Sequence, residues 1–361
     1  FKSLYPSIIR TFFIDPLGLA LGVSDELPAS QTVPGYLEAR FARAGHILPG
    51  LIEQLWRQRD AAKGAGDQPL SQAIKIIMNS FYGVLGTPGC RFFDARLASS
   101  ITRRGHQILG RTRDYIEEAG HRVIYGDTDS VFVWISEARS DEQAMATGHQ
   151  LQRDLNTWWR GVIREEFDLD SVLEVEFETH FKRFLMPTIR GSDKGSKKRY
   201  AGVVADGEGE TLVFKGLENV RTDWTQLARE FQEELYRRIF AQEPFESYVK
   251  ELTASVLAGQ CDGQLVYRKR LRRKLQEYQR NIPPHVQAAR LCQERDLPVP
   301  TRGSWVEYVI TTSGAEPAAS PLAPLDYQHY VDRQLEPVAD GILGFVGTSF
   351  RALVDQQIDL F

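Results

Sequence analysis

Asp127 and Asp129 stand two residues apart in the string YGDTDSVF (125–132), so in an extended turn both carboxylates can face one side. Two neighbouring hard oxygen donors suit shared divalent cations, the cluster that two-metal chemistry needs. Taken alone, the pair would serve equally as a hairpin turn in which Asp and Gly satisfy local geometry. An EF-hand is excluded, because its Gly and later Glu spacing is absent.

A second constellation lies on 75–83, where Lys75, Asn79, Tyr82 and Gly83 fall at i, i+4, i+7 and i+8 and share a helix face. Ile74, Ile77, Met78, Phe81 and Leu85 form the opposite face. A cation, an amide, an aromatic ring and a glycine in one stripe suit a nucleotide: charge for phosphate, a ring for stacking, and room for a base pair. Arg59 and Lys63, four apart on the preceding helix, point at the same cleft if the two helices close as a hairpin. An ion pair of Arg59 with a nearby acid such as Asp60 is the alternative. Further along, GSKKRYAG (195–202) places Lys197, Lys198, Arg199 and Tyr200 at the head of a strand, alternating cation and ring. RKRLRRK (268–274) puts six positive side chains in seven residues: Arg268, Lys269, Arg270, Arg272, Arg273 and Lys274. Such runs also occur as solvated edges. Glu174, Glu176 and Glu178 alternate along one strand, with Glu176 the candidate acidic support for a metal site.

The elements that must position these groups follow from periodicity. Residues 1–15 (FKSLYPSIIRTFFID) predict a short strand, a turn and the start of a helix. A helix over 36–63, a break at GAGDQP (64–69) and a helix over 70–85 predict a projecting hairpin. Helices are expected over 95–119 and 141–170, and 121–135 alternates as two strands around a Gly-Asp-Thr-Asp turn. Strands at 172–178, 181–189 and 197–204 complete a mixed α/β sheet, a mainly helical region follows FKGLENVRTDW (214–224), and 313–327 predicts a loop.

With 361 residues, 42% hydrophobic and 25% charged, the chain is long enough for two or three cores. No run approaches the roughly 18 uncharged apolar residues of a membrane span, and no leader is evident, so a cytoplasmic place without membrane contact is expected. Cys90, Cys261 and Cys292 are scattered, which argues against disulfides and structural zinc. The net charge of −4 does not exclude a nucleic-acid partner, because the basic residues are clustered. The apolar opening at Phe1 reads as the inside of a longer protein.

These strings resemble the motifs of family B DNA polymerases. YGDTDSVF resembles motif C, KIIMNSFYG resembles motif B (KxxxNSxYG), and FKSLYPSII resembles motif A, whose aspartate would precede Phe1. The resemblance runs in order along almost the whole chain, most closely to bacterial members. It implies a right-hand architecture, an α/β palm with an inserted antiparallel helical-hairpin fingers subdomain and a mainly helical thumb. The expected bounds are palm 1–35 and 93–215, fingers 36–92, thumb 216–352 and a tail 353–361.

It further implies template-directed transfer of dNMP to a primer 3′-hydroxyl with two Mg²⁺ ions, Mn²⁺ being a possible substitute. Asp127, Asp129 and the Phe1 carbonyl would hold metal. Ser3, Leu4, Tyr5, Arg59, Lys63, Lys75 and Asn79 would bind the dNTP, Tyr5 lying beneath the sugar and excluding a 2′-hydroxyl. Tyr82, Gly83 and Thr128 would meet the base pair. Lys197, Lys198, Arg199 and Tyr200 would hold the primer terminus and the RKRLRRK run would grip duplex phosphates. Gln357, Ile358, Leu360 and Phe361 in the terminal QIDLF resemble a bacterial sliding-clamp peptide. Primer-template DNA, dNTPs, the clamp and upstream exonuclease domains are the partners this implies, at the nucleoid. Without the motif A aspartate, extension by the chain itself is expected to be very weak. The rival readings are a non-catalytic DNA- and clamp-binding relic, and an RNA polymerase or primase, which would need a smaller gate than Tyr5.

Overall fold

The computed structural model describes residues 1–24, 27–138, 140–187, 198–205 and 209–355. They divide into two compact units, Phe1–His180 and Phe181–Phe361, each with its own apolar core.

The first unit opens on α1 (Leu4–Thr11), a helix where a strand and turn were expected. The aromatic and β-branched residues fit a strand, but Leu4, Ile8, Ile9 and Phe12 are all buried at helical spacing. Pro6 lies in the first turn, where a missing N–H costs the helix nothing. After α2 (Pro16–Gly22) comes a hairpin that periodicity did not disclose, β1 (Thr32–Pro34) against β2 (Arg40–Ala42). Residues 4–22 have a mean hydropathy of 1.2 but include Arg10 and Asp15, so they are not an uncharged run. They break into two helices, and 61% of the stretch is buried within the protein. Asp15, 1% exposed, accepts from the Gly18 and Leu48 amides at 2.7 Å each, so one carboxylate caps α2 and α3 (Leu48–Gly64) together.

The α3 helix turns back at Gly66 (φ 72°) into α4 (Gln68–Leu85), where Asp67 accepts from the Leu70 amide at 3.0 Å. The predicted helical pair is present, although its first helix begins at Leu48 rather than near residue 36. Helix α5 (Ala95–Glu118), the hairpin β3 (Arg122–Asp127) and β4 (Ser130–Trp134), and α6 (Asp141–Phe167) follow the expected pattern. The segment 172–178, expected as a strand, joins no ladder. It is held instead by the Asn156 side chain, which donates to the Val175 carbonyl at 2.9 Å and accepts from its amide at 2.8 Å.

The second unit begins with an antiparallel sheet, β5 (Phe181–Leu185), β6 (Tyr200–Ala205) and β7 (Glu210–Lys215), with β6 central. Helices α7 (Gln226–Ala241) and α8 (Glu246–Leu257) come next. The region was expected to be mainly helical, yet it contains a second sheet, β8 (Tyr267–Arg270), β9 (Trp305–Thr311) and β10 (Gly314–Pro317), with α9 (Pro284–Glu294) between β8 and β9 in sequence. The residues 314–317, expected in a loop, are thus strand. Helices α10 (Tyr327–Tyr330), α11 (Glu336–Leu343) and α12 (Phe350–Val354) close the unit. A π turn over Val331–Leu335 joins the first two just ahead of Pro337, whose missing N–H disturbs the regular ladder.

Candidate functional site

Within the first unit, the β3–β4 hairpin pairs Asp127 with Ser130, leaving Thr128 and Asp129 as the turn. The Asp129 amide returns to the Asp127 carbonyl at 2.5 Å, across Thr128 at φ 52°. A β-branched residue in the left-handed region is strained, and such strain gathers at functional sites. Each carboxylate takes one neighbouring hydroxyl: Thr128 donates to Asp127 at 3.0 Å and Ser130 to Asp129 at 3.3 Å.

The start of the chain meets this tip. The Phe1 nitrogen donates to the Asp129 carbonyl at 2.5 Å, and the Lys2 amide donates to the Glu174 carbonyl at 2.9 Å. The Lys2 ammonium lies 3.2 Å from Glu174 and 3.3 Å from Glu176, and burial, which opposes its charge, is outweighed by these two carboxylates, so its pKa is raised. Glu176 is half exposed and paired with Lys2. Among the described residues, no three His, Cys, Asp or Glu side chains gather closely enough to hold a metal ion by themselves. Asp127 and Asp129 nonetheless fit Mg²⁺, which characteristically takes one or two carboxylates and completes its shell with water and substrate phosphate.

Tyr5, on the first turn of α1, packs edge-on against Tyr82 of α4, ring centroids 4.8 Å apart at 62°. Burial raises the Tyr5 phenol pKa, and the neighbouring Tyr82 and Asp129 raise it further, so this hydroxyl stays neutral beside the hairpin tip. Gly105 of α5 makes the space: a Cβ there would stand 3.3 Å from the Tyr5 ring. Ser3, at φ 48°, caps α1 without a side-chain bond, leaving the first-turn amides turned toward the same end.

On α4, Ile74, Met78 and Leu85 face the core, while Lys75 and Asn79 are exposed on the stripe that ends at Tyr82. Ile77, expected on the buried face, is 48% exposed. A Cβ at Gly83 would meet nothing within 4 Å, so internal packing does not demand the glycine. Lys63 of α3 is exposed, whereas Arg59 is only 9% exposed and makes no ion pair among the described residues. Its buried Nε has no acceptor, so the expected alternative of a pair with Asp60 is not what holds it. An arginine buried along its stem, with no counter-ion among the described residues, suits an anion at its terminal nitrogens.

The second unit carries the basic strings. Lys198 is exposed at φ 63°, and Tyr200 lies against Phe184, centroids 5.3 Å apart. Lys197 and the peptide Gln357, Ile358, Leu360 and Phe361 lie outside the described residues. In the basic run, Leu271 is fully buried, and the cations on either side of it are exposed. Arg268 stacks 4.7 Å above Trp305 and lies 3.5 Å from Glu307, while Arg270 donates to the Gly303 carbonyl at 2.7 Å.

A sequence model described as DNA polymerase family B matches residues 1–340. The chain belongs to this family. It is 56% identical over 367 residues to the DNA polymerase II of Escherichia coli (strain K12), a match covering 100% of this chain and 46% of that protein. Its identity to the DNA polymerase alpha catalytic subunit of Drosophila melanogaster is 29%, over 94% of this chain and 24% of the other. The solved family B DNA polymerase of Pyrobaculum calidifontis superposes with a TM-score of 0.63 at 25% identity, covering 97% of this chain and 45% of that one. The chain thus spans less than half the length of these family B relatives.

Within the family B chain, three residues of consequence escaped the sequence reading. Gly105 shapes the Tyr5 seat, Trp305 supports Arg268, and Glu218 holds Arg199. Trp305 opposes Arg270 in the β8–β9 register, a pairing across 35 positions that local patterns do not carry.

Proposed function

We propose that this chain carries the nucleotidyl-transfer core of a DNA-directed DNA polymerase. The observation that supports this best is the meeting of Tyr5, Tyr82 and Asp129, from three separate stretches, each of which resembles a polymerase motif. In the reaction, a primer 3′-oxygen loses its proton and bonds to the α-phosphorus of a dNTP, while the bond to the pyrophosphate oxygen breaks in line. Asp127, Asp129 and the Phe1 carbonyl would hold the divalent ions. When bound, two Mg²⁺ supply Lewis-acid stabilisation of the attacking and leaving oxygens.

The remaining groups bind and orient. The Ser3 and Leu4 amides at the head of α1, together with Arg59, Lys63 and Lys75, meet triphosphate oxygens, and Asn79 donates beside them. Tyr5 lies beneath the sugar, where its ring excludes a 2′-hydroxyl. Tyr82, Gly83 and Thr128 face the new base pair. Palm segments 1–35 and 93–215 and fingers 36–92 hold these groups, and the thumb, 216–352, grips duplex DNA. The terminal QIDLF is assigned to a sliding clamp, and a cytoplasmic, nucleoid-bound enzyme is the setting this implies.

Primer extension tests the reading, using the chain with an aspartate placed ahead of Phe1 to complete motif A. The expected result is dNTP incorporation that falls roughly 10³-fold in Asp129→Asn, with primer-template affinity unchanged. Binding without incorporation by the completed chain would overturn it in favour of a non-catalytic DNA-binding module.

A further inference from the structure

Arg199 belongs to a string that alternates cation and ring, and sequence alone assigns it to DNA. In the folded chain its Nη2 donates to Glu218 Oε1 instead. The Glu218 side chain is 8% exposed and that of Arg199 is 36% exposed, so the carboxylate is the partner that cannot lose its companion. A buried carboxylate left unpaired is strongly unfavourable, whereas a half-exposed guanidinium can reach water.

The other half of Glu218 is also committed. Gln232 of α7, 1% exposed, donates to Glu218 Oε2 at 2.9 Å and accepts from the Asn219 amide at 2.8 Å. Tyr236, one turn further along the same face of α7, is fully buried, and Glu218 and Arg199 both act on its phenol. The Arg199 Nε is itself buried without an acceptor. Beneath the pair runs Gly216, at φ 63°, where a Cβ would fall 2.3 Å from the Lys198 carbonyl and 3.5 Å from Arg199 Cγ. The end of the β6–β7 ladder, Tyr200 opposite Lys215, is thus pinned to α7 through Arg199, Glu218 and Gln232.

We propose that Glu218 is a positioning residue that withdraws Arg199 from DNA and uses it to set the head of β6, the strand against which the primer terminus would lie. This rests on the DNA-binding reading above. Arg199 is thereby anchorage and not contact. That role has a thermodynamic signature, because only a side chain that displaces counterions from phosphate contributes to the salt dependence of affinity.

The test titrates primer-template duplex against the full chain at a series of salt concentrations, for the parent and for Arg199→Met, Arg199→Lys and Glu218→Gln. Arg199→Met, Arg199→Lys and Glu218→Gln should each weaken binding by similar factors, roughly tenfold. All three should keep the parent's slope of log K against log salt. A slope loss of about 0.9 in Arg199→Met, with parental affinity restored in Arg199→Lys, overturns the proposal. If Glu218→Gln fails to fold by circular dichroism, the two Arg199 variants still decide. A parent that binds no duplex removes the DNA reading and this inference with it, while a slope loss at Arg199 in a binding parent removes this inference alone.

Discussion

Arg59 is the residue whose surroundings say most about an absent partner. The side chain is 9% exposed, with an orphaned Nε and no ion pair among the described residues, while its terminal nitrogens still reach solvent and can meet something negative. If that something is a triphosphate, Arg59→Met should separate stability from binding. Denaturant unfolding should change by no more than about 1 kcal/mol, because the apolar stem is kept and one desolvated nitrogen is removed. The dissociation constant for dNTP should rise about ten- to hundredfold, the loss of a charge-assisted contact. A variant that is less stable and binds dNTP unchanged would assign Arg59 to the core. The Lys63 side chain, one turn further along and exposed, is expected to affect binding and leave stability unchanged. Sequence placed both cations on one face, but only the packing of α3 against α4 distinguishes a buried charge from a wetted one.

At the scale of elements, what could be read was set by how far the stabilising contacts lie along the chain. Helices α4, α5 and α6 are long and amphipathic, and the β3–β4 hairpin closes on its own turn, so local pattern sufficed. Helix α1 was misread because Tyr5, Ile8 and Ile9 favour strands by side-chain shape, while burial of Leu4, Ile8 and Phe12 together selects the helix. The β8–β9–β10 sheet was invisible because it joins Arg268 to Glu307 and Ala315 to Ile310, and its first strand is mostly charged. That sheet also carries a carboxylate with a measurable consequence. Burial pushes Glu316 up, but the Leu322 amide, Arg295, Thr311 and the Ala323 amide together hold it down at about 2, from an ordinary 4.5. A carboxyl depressed on folding stabilises above its unfolded value and loses that contribution as pH falls toward the folded one. The window is therefore pH 4.5 down to about 2, and the contribution above it is about 3 kcal/mol. Urea unfolding at pH 6 and pH 3 should show the parent losing most of this amount, and Glu316→Gln starting lower but losing much less. Equal losses in both proteins would separate acid sensitivity from this residue.

Across the whole molecule, a net charge of −4 opposes DNA, so affinity must come from how charge is distributed. The densest basic run sits on β8 and just beyond it, and β8 is an edge strand. Edge strands often carry Lys and Arg simply to prevent pairing with other chains, so the run has two physical explanations. Salt dependence separates them. If every cation of Arg268, Lys269, Arg270, Arg272, Arg273 and Lys274 met a phosphate, replacing all six by Gln would lower the slope of log K against log salt by about 5. Arg268 is already engaged by Trp305 and Glu307, and Arg270 by the Gly303 carbonyl, so these two should contribute little. The expected fall is accordingly about 3 to 4, with Arg268→Gln alone near zero and the pair Arg272→Gln with Arg273→Gln near 2. The affinity for dNTP should not change, because the side chains assigned to it all belong to the unit ending at His180. Edge protection alone predicts the opposite pattern: concentration-dependent aggregation of the six-fold variant, with the salt slope of its monomer equal to the parent's.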